Sequence, residues 1–255
     1  MGVTSGANTG IDSDAVMAYD YRSPTRYIGR DLVGTEDGSG SGVVLQSNGS
    51  LYFDGVNDRV SYNGFTSAEH FVTNSDLTIM SFVNVKSYPD GSGQPGRSSV
   101  FSCQRYRTEA SNGGFSLATD ANGTHATGYN LSWVQQFGYE PDGITGNQTS
   151  TGSRMTTYGV DYNEIHCIGW TYTNSSKTIQ WYRDGIEQNA EVNTNLNWTA
   201  NSRTSPRALS GINTQGGWGN YLEMDLYTLF IWKKALTPRE VQKHYYSIAP
   251  DLGLV

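Results

Sequence analysis

The ten residues Leu51-Tyr52-Phe53-Asp54-Gly55-Val56-Asn57-Asp58-Arg59-Val60 restrict the fold more than any other stretch of the chain. Leu51 and Phe53 alternate with polar positions, as in a half-buried strand. Asp54-Gly55 and Asn57-Asp58 are turn formers: Gly reaches positive φ freely, and Asp and Asn side chains accept hydrogen bonds from nearby amides. Val60 then resumes an apolar run. The pattern is strand, tight corner, strand.

The same grammar recurs along the chain. Short strands are expected at Ala15–Asp20, Leu77–Val85, Ser99–Cys103, Gly114–Ala118, Tyr129–Val134, Ile165–Tyr172, Thr178–Arg183, Ala208–Ile212 and Leu222–Trp232. In the last of these Leu222, Met224, Leu226, Thr228, Phe230 and Trp232 are expected on one face. Asp184-Gly185 signals a hairpin. Gly34 to Gly42, Tyr88 to Ser98, Phe137 to Met155, Asn193 to Pro206 and Gln215 to Gly219 read as loops. One segment reads as a helix. Thr237-Pro238-Arg239-Glu240 has the form of a capping box, and Val241, Tyr245 and Ile248 then share a face. With 30 Gly, 17 Tyr, 6 Trp and only 16% charged residues in 255, the chain is expected to be all-β.

Several functions are disfavoured at this level. The formal charge is −7 and no Lys/Arg cluster occurs, which argues against nucleic-acid and anionic-membrane partners. No apolar run reaches transmembrane length. Residues 1–14 lack the basic and apolar regions of a secretory leader. They are also too polar to fold alone, so they are expected to act as a docking tail ahead of a sandwich spanning 15–255. Cys103 and Cys167 are too few for a disulfide framework, and read as buried reduced thiols or as one bridge. No Ser-His-Asp grouping, phosphate loop or Cys/His metal spacing appears. His166, among aromatic neighbours, is expected to be packed and hydrogen-bonded.

Four pieces occur in order: LYFDGVNDRV (51–60), DLTIMSFVNV (76–85), EIHCIGWTYTNSSKTIQWYRDGI (164–186) and LEMDLYTLFIWKKALTPREV (222–241). Together they resemble the concanavalin A-like lectin/glucanase superfamily in its laminin-G-like, pentraxin-like branch. The resemblance implies a jelly-roll β-sandwich of two antiparallel sheets, with loops at the rim. AVMAYDYRSPTRYIGRDLVG (15–34) is similar to a lead-in found before such domains in bacteriophage virion proteins and bacterial surface proteins. Here Val33 replaces that lead-in's Ser, and its Trp is missing.

The resemblance also suggests where chemistry would lie. Glucanases of the superfamily use Glu-x-Asp-x-x-Glu to hydrolyse glycosides with two carboxylates. Glu223 and Asp225 begin that motif, but Thr228 stands at the second Glu, so no enzyme activity is expected. Calcium, the metal the superfamily favours, would fall by motif position to Asp54, Asp58 and Asp225. Rim-loop aromatics with amide neighbours, namely Trp198, Trp218, Tyr221 and Asn220, are the expected glycan contacts. Trp133, Trp170, Trp181 and Trp232 are expected in the core. The functional expectation is a non-enzymatic virion structural protein, decorating a capsid or associated with a tail. It would dock through its N-terminal tail to other virion proteins or to its own copies, and adhere to host-surface glycans. The alternative is a stand-alone extracellular lectin domain.

Overall fold

A computed structural model describes residues 15–22, 31–33, 37–62, 75–87, 97–102, 114–120, 132–138, 151–154, 162–192, 207–210, 212–214, 217–219 and 221–255. Its strands, in chain order, begin with β1 (Ala15–Asp20), β2 (Ser39–Ser41), β3 (Val44–Leu45), β4 (Leu51–Asp54), β5 (Arg59–Tyr62) and β6 (Leu77–Val85). Next come β7 (Arg97–Ser102), β8 (Gly114–Asp120), β9 (Ser132–Gly138), β10 (Thr151–Arg154), β11 (Ile165–Thr173) and β12 (Thr178–Arg183). The last are β13 (Ile186–Val192), β14 (Arg207–Leu209), β15 (Ile212–Thr214), β16 (Gly217–Gly219) and β17 (Glu223–Trp232), followed by helix α1 (Pro238–Ile248).

An eight-stranded sheet has seven strands in the order β13-β12-β11-β6-β17-β4-β3 and an eighth, β1, paired to β17. A seven-stranded sheet runs β10-β9-β8-β7-β14-β5-β2. All these pairings are antiparallel. β17 is the hub of the larger sheet: β6 lies along one side, while β4 and β1 share the other, end to end. Leu51, Phe53, Val60, Ile79, Val83, Phe101, Phe115, Ile168, Trp170, Trp181 and Met224 fill the space between the sheets. The architecture is the expected all-β sandwich.

Four loop and strand expectations are corrected. β10 lies inside the expected Phe137–Met155 loop and pairs with β9, Thr151 opposite Phe137. Thr-Gly-Ser-Arg has no apolar alternation to reveal it, and an edge strand needs only its ladder bonds. Likewise β2 lies in the Gly/Ser-rich stretch and pairs with β5. The expected strand Ala208–Ile212 is two strands, broken at Ser210, whose φ is +50°. The expected Gln215–Gly219 loop contributes β16, which forms a hairpin with β15.

The most consequential correction concerns β17. Its register against β6 shifts between Leu226 and Thr228, so Tyr227 is an extra residue, a β-bulge. Leu222, Met224 and Leu226 face the inter-sheet core, but beyond the bulge Leu229 and Ile231 take over that role. Phe230 and Trp232 are turned to the outer face. There, with Met80, Phe82, Cys167 and Tyr182, they meet Leu236, Val241, Tyr245 and Ile248 and form a second apolar layer under α1. The helix starts as expected: Thr237 Oγ1 accepts from the Glu240 amide, and the Glu240 carboxylate accepts from the Thr237 amide at 2.8 Å. Cys167 is a buried free thiol in this layer, and burial pushes its pKa well above the usual value. Trp170, Trp181 and Trp232 are buried as expected, Trp232 in the second layer. Residues 1–14, Cys103 and the Trp133 side chain lie outside what is described.

Candidate functional site

The corner between β4 and β5 is built by its own backbone. Asp54 Oδ1 accepts from the amides of Val56 (2.8 Å), Asn57 (3.2 Å) and Asp58 (3.4 Å). Asp58 Oδ2 accepts from the Asp54 amide at 2.9 Å. Burial pushes the Asp54 pKa up, but the amides outweigh it and hold the carboxyl below the usual range. Burial, with Asp54 nearby, raises that of Asp58. Gly55 has φ +75°, and a Cβ there would come within 3.0 Å of the Glu223 backbone nitrogen. The turn therefore needs glycine twice over, for its conformation and for its contact with β17.

Asp225 belongs to a different group. Its Oδ2 lies 2.7 Å from Lys86 Nζ. The expected calcium donors thus do not fit a metal shell: two carboxylates are committed to amides, and the third is neutralised by an ammonium. Among the described residues no group of three or more His, Cys, Asp or Glu is placed to hold a metal ion.

What the fold does assemble is a polar strip on the outer face of the larger sheet. Because Leu51, Phe53, Val83, Val85, Met224 and Leu226 point inward, the residues between them point out. Across the strands the row reads Tyr52 (β4), Asp225 (β17) and Asn84 (β6). Lys86 and Glu223 lie beside it. Tyr52 Oη donates to Glu223 Oε1 at 3.1 Å, and Ser87 Oγ donates to Glu223 Oε2. Burial, then the neighbouring Glu223, raises the Tyr52 pKa. Asp225 is 2% exposed and Asn84 6%, yet Asp225 Oδ1 and Asn84 Oδ1 have no hydrogen-bond partner. Buried oxygens left without donors are costly in a folded protein. A ligand that donates hydrogen bonds here would remove that cost. Tyr52 and Glu223 are only half-buried and give access.

Thr228, where a glucanase would carry its second Glu, is fully buried. Its Oγ1 accepts from the Phe82 amide at 3.4 Å, and its carbonyl accepts from Ser81 Oγ at 2.8 Å. It repairs the ladder at the bulge and has no ionisable group. Of the expected glycan contacts, Tyr221 is half-buried just before β17. Trp218 lies in β16 opposite Asn213, its side chain outside the described residues. Trp198 and Asn220 lie outside the described residues altogether.

Tyr52, Asn84 and Lys86 were not singled out by sequence. Their signal is faint: Asn84 interrupts the apolar run of β6 at an outward position, and Lys86 follows at the next one. His166 is packed and hydrogen-bonded as expected, with Nδ1 2.9 Å from Asp184 Oδ2.

No family model matches the sequence. No curated protein matches it significantly. Solved structures do share its fold. The binding domain of botulinum neurotoxin serotype G aligns with TM-score 0.60 and 17% identity, over 91% of this chain and 50% of that one. A sialidase from Trypanosoma rangeli aligns with TM-score 0.60 and 14% identity, over 95% of this chain and 33% of that one. Domain 4 of an extracellular arabinanase from Geobacillus stearothermophilus, solved with arabinotriose, aligns with TM-score 0.58 and 13% identity, over 91% and 98%. This chain spans about half the toxin binding domain and a third of the sialidase chain. At such identities the likeness is one of fold: the chain is a β-sandwich of the kind these proteins contain.

Proposed function

We propose that the chain is a non-enzymatic carbohydrate-binding module whose ligand lies along the Tyr52–Asp225–Asn84 strip. The observation that carries this reading is the pair of buried, unpartnered oxygens on Asp225 and Asn84, beside half-exposed Tyr52 and Glu223. Sugar hydroxyls donate to such oxygens, and an aromatic ring offers a face for the sugar's C–H groups. A domain of the same fold was solved with arabinotriose, which favours a saccharide over other donor-rich ligands. Catalysis is not part of the reading, because Glu223 has no carboxylate partner at Thr228.

Glycan-array screening followed by calorimetry tests it. At least one oligosaccharide should bind, and Tyr52→Ala or Asp225→Asn should weaken it about tenfold or more, the cost of one or two lost hydrogen bonds. Binding unchanged in both variants but lost in Trp218→Ala would move the site to the rim. Release of reducing ends from a polysaccharide, abolished by Glu223→Gln, would make the protein a hydrolase instead.

The finer reading, a virion subunit presenting this module, is favoured by the lead-in at 15–34. Part of that segment has a structural use as well: Asp31 Oδ1 accepts from the amides of Ala18 (2.9 Å) and Val33 (3.2 Å) and so fastens Asp31 to β1. Deleting residues 1–14 should abolish incorporation into particles while leaving the unfolding midpoint unchanged. Normal incorporation of the deletion would rule out docking through the tail.

A further inference from the structure

We propose that the groove where β11, the β12–β13 turn and α1 meet is a second saccharide subsite, selective for non-anionic sugars and best suited to an amino sugar. This deepens the carbohydrate-binding reading and rests on it. The groove encloses about 380 Å³ and is lined by Glu164, Ile165, His166, Asp184, Tyr245 and Leu254. It is separate from the strip yet on the same sheet. Ile165 pairs with Asn84, which continues the row Tyr52–Asp225–Asn84. Three strand spacings, about 14 Å, separate Ile165 from Tyr52.

The chemistry of the groove follows from His166, whose side chain is 8% exposed. Its Nδ1 faces Asp184 Oδ2. An ionised carboxylate only accepts, so Nδ1 carries the hydrogen, and in the neutral ring Nε2 is left as an acceptor. That Nε2 has no hydrogen-bond partner. Glu164 Oε2 stands 3.6 Å from it, another acceptor. With the ring neutral, two acceptors face each other at this distance and need a donor between them, and among the described residues no other side chain supplies one. Glu164 is 61% exposed, so its side chain swings at small cost to admit the ligand.

The rest of the groove selects among donors. Asp184 is already filled on its other oxygen by the Cys167 amide at 2.9 Å. Arg183 Nε lies 3.4 Å from Asp184 Oδ2, so the guanidinium is drawn to that carboxylate. What remains for a ligand is the Nε2 lone pair and the Glu164 carboxylate, an environment that attracts an ammonium or hydroxyl and repels a carboxylate. The Tyr245 ring, with Ile165 and Leu254, gives an apolar wall for the C–H face of a pyranose. A hexosamine with a free amine matches both parts, a neutral hexose matches less well, and a sialic acid is rejected.

The test follows the His166 ring nitrogens and the Tyr52 amide together by ¹⁵N NMR at pH 7.5. The probes are the methyl glycosides of glucosamine, glucose and N-acetylneuraminic acid, and arabinotriose. The glucosamine glycoside should shift His166 Nε2 saturably. Glu164→Ala should weaken that response about tenfold, and Glu223→Gln should leave it unchanged. The neuraminic acid glycoside should leave the ring unmoved. If Tyr52 responds to a saccharide but no glycoside moves the His166 ring, the groove is not a subsite and the strip stands. If neither reporter responds to any probe, the groove falls together with the carbohydrate reading. If the neuraminic acid glycoside shifts the ring as strongly as glucosamine, the groove does not select for non-anionic sugars and the proposal is overturned.

Discussion

His244 is a neutral imidazole sealed in hydrocarbon. It is 5% exposed, and its ring stands edge-on to Phe230 (4.6 Å) and Trp232 (4.9 Å). Neither ring nitrogen has a hydrogen-bond partner. Burial, then Arg22 nearby, lowers its pKa to about 3. The unfolded chain takes up a proton near pH 6.5, which the folded chain refuses until about pH 3. Stability from this group is therefore complete above pH 6.5 and declines as pH falls below it. The loss approaches about 1.4 kcal/mol per pH unit. Between pH 7 and 5 that is about 2 kcal/mol, above the window in which the depressed carboxyls of Asp54, Asp184 and Glu240 begin to titrate. His244→Leu removes two unpaired nitrogens and the titration together. Denaturant unfolding should find it as stable as the parent or more so at pH 7, and nearly flat between pH 7 and 5. An equal loss in both proteins would place the pH dependence elsewhere. Gly169 is constrained by space alone: a Cβ there would lie 2.3 Å from the Ile79 carbonyl oxygen and 2.9 Å from Met80 Cα. Both are backbone atoms and cannot step aside without parting β11 from β6. Gly169→Ala should cost about 2 kcal/mol or more in the same assay.

At the level of elements, what could be read from sequence depended on whether an apolar pattern was needed. β1, β6 and β12 are legible to the residue, since each buries a face and has to alternate or run apolar. β2 and β10 are edge strands of Ser, Gly, Thr and Arg, held by ladder bonds alone, and nothing in their composition distinguishes them from loop. β17 shows a subtler limit. Its residues alternate without a visible break, but one extra residue at Tyr227 reverses the faces, and bulges have no period of their own. The candidate site was hidden for a related reason. Asp225 and Glu223 were visible as a motif fragment, but their partners Lys86, just past the end of β6, and Tyr52, in β4, lie 139 and 171 residues away in sequence, and only the register brings them together. The helix start was legible because the capping box is local. Its Glu240 carboxyl is held below the usual range first by the Thr237 amide and then by the Thr237 hydroxyl. Thr237→Ala should therefore lower stability by about 1 kcal/mol near neutral pH. The difference should shrink as pH falls through the Glu240 titration. A difference that stays constant down to pH 3 would mean the cap acts without its carboxylate.

For the molecule as a whole, the larger sheet is covered on both sides for part of its area and on one side for the rest. Where α1 lies, outward positions are Met80, Phe82, Phe230 and Trp232. Beyond it they are Tyr52, Asn84, Glu223 and Asp225. The bulge in β17 marks the boundary, turning one strand from polar-out to apolar-out. The helix is thus a second roof required by the sequence beneath it. Val241, Tyr245 and Ile248 each contribute about 1.5–3 kcal/mol by burial, so the roof is worth about 5 kcal/mol or more, set against a typical total of about 5–15. A chain ending at Leu236 should lose its cooperative unfolding transition or shift it far toward lower denaturant, bind a hydrophobic dye strongly, and associate through the uncovered aromatic face. Gel filtration and dye fluorescence check this directly. Were the truncated chain monomeric, dye-silent and within about 1 kcal/mol of the full chain, the apolar outer face would have to be satisfied by the sheet's own side chains, and the division of that face into a roofed half and a polar half would lose its physical basis.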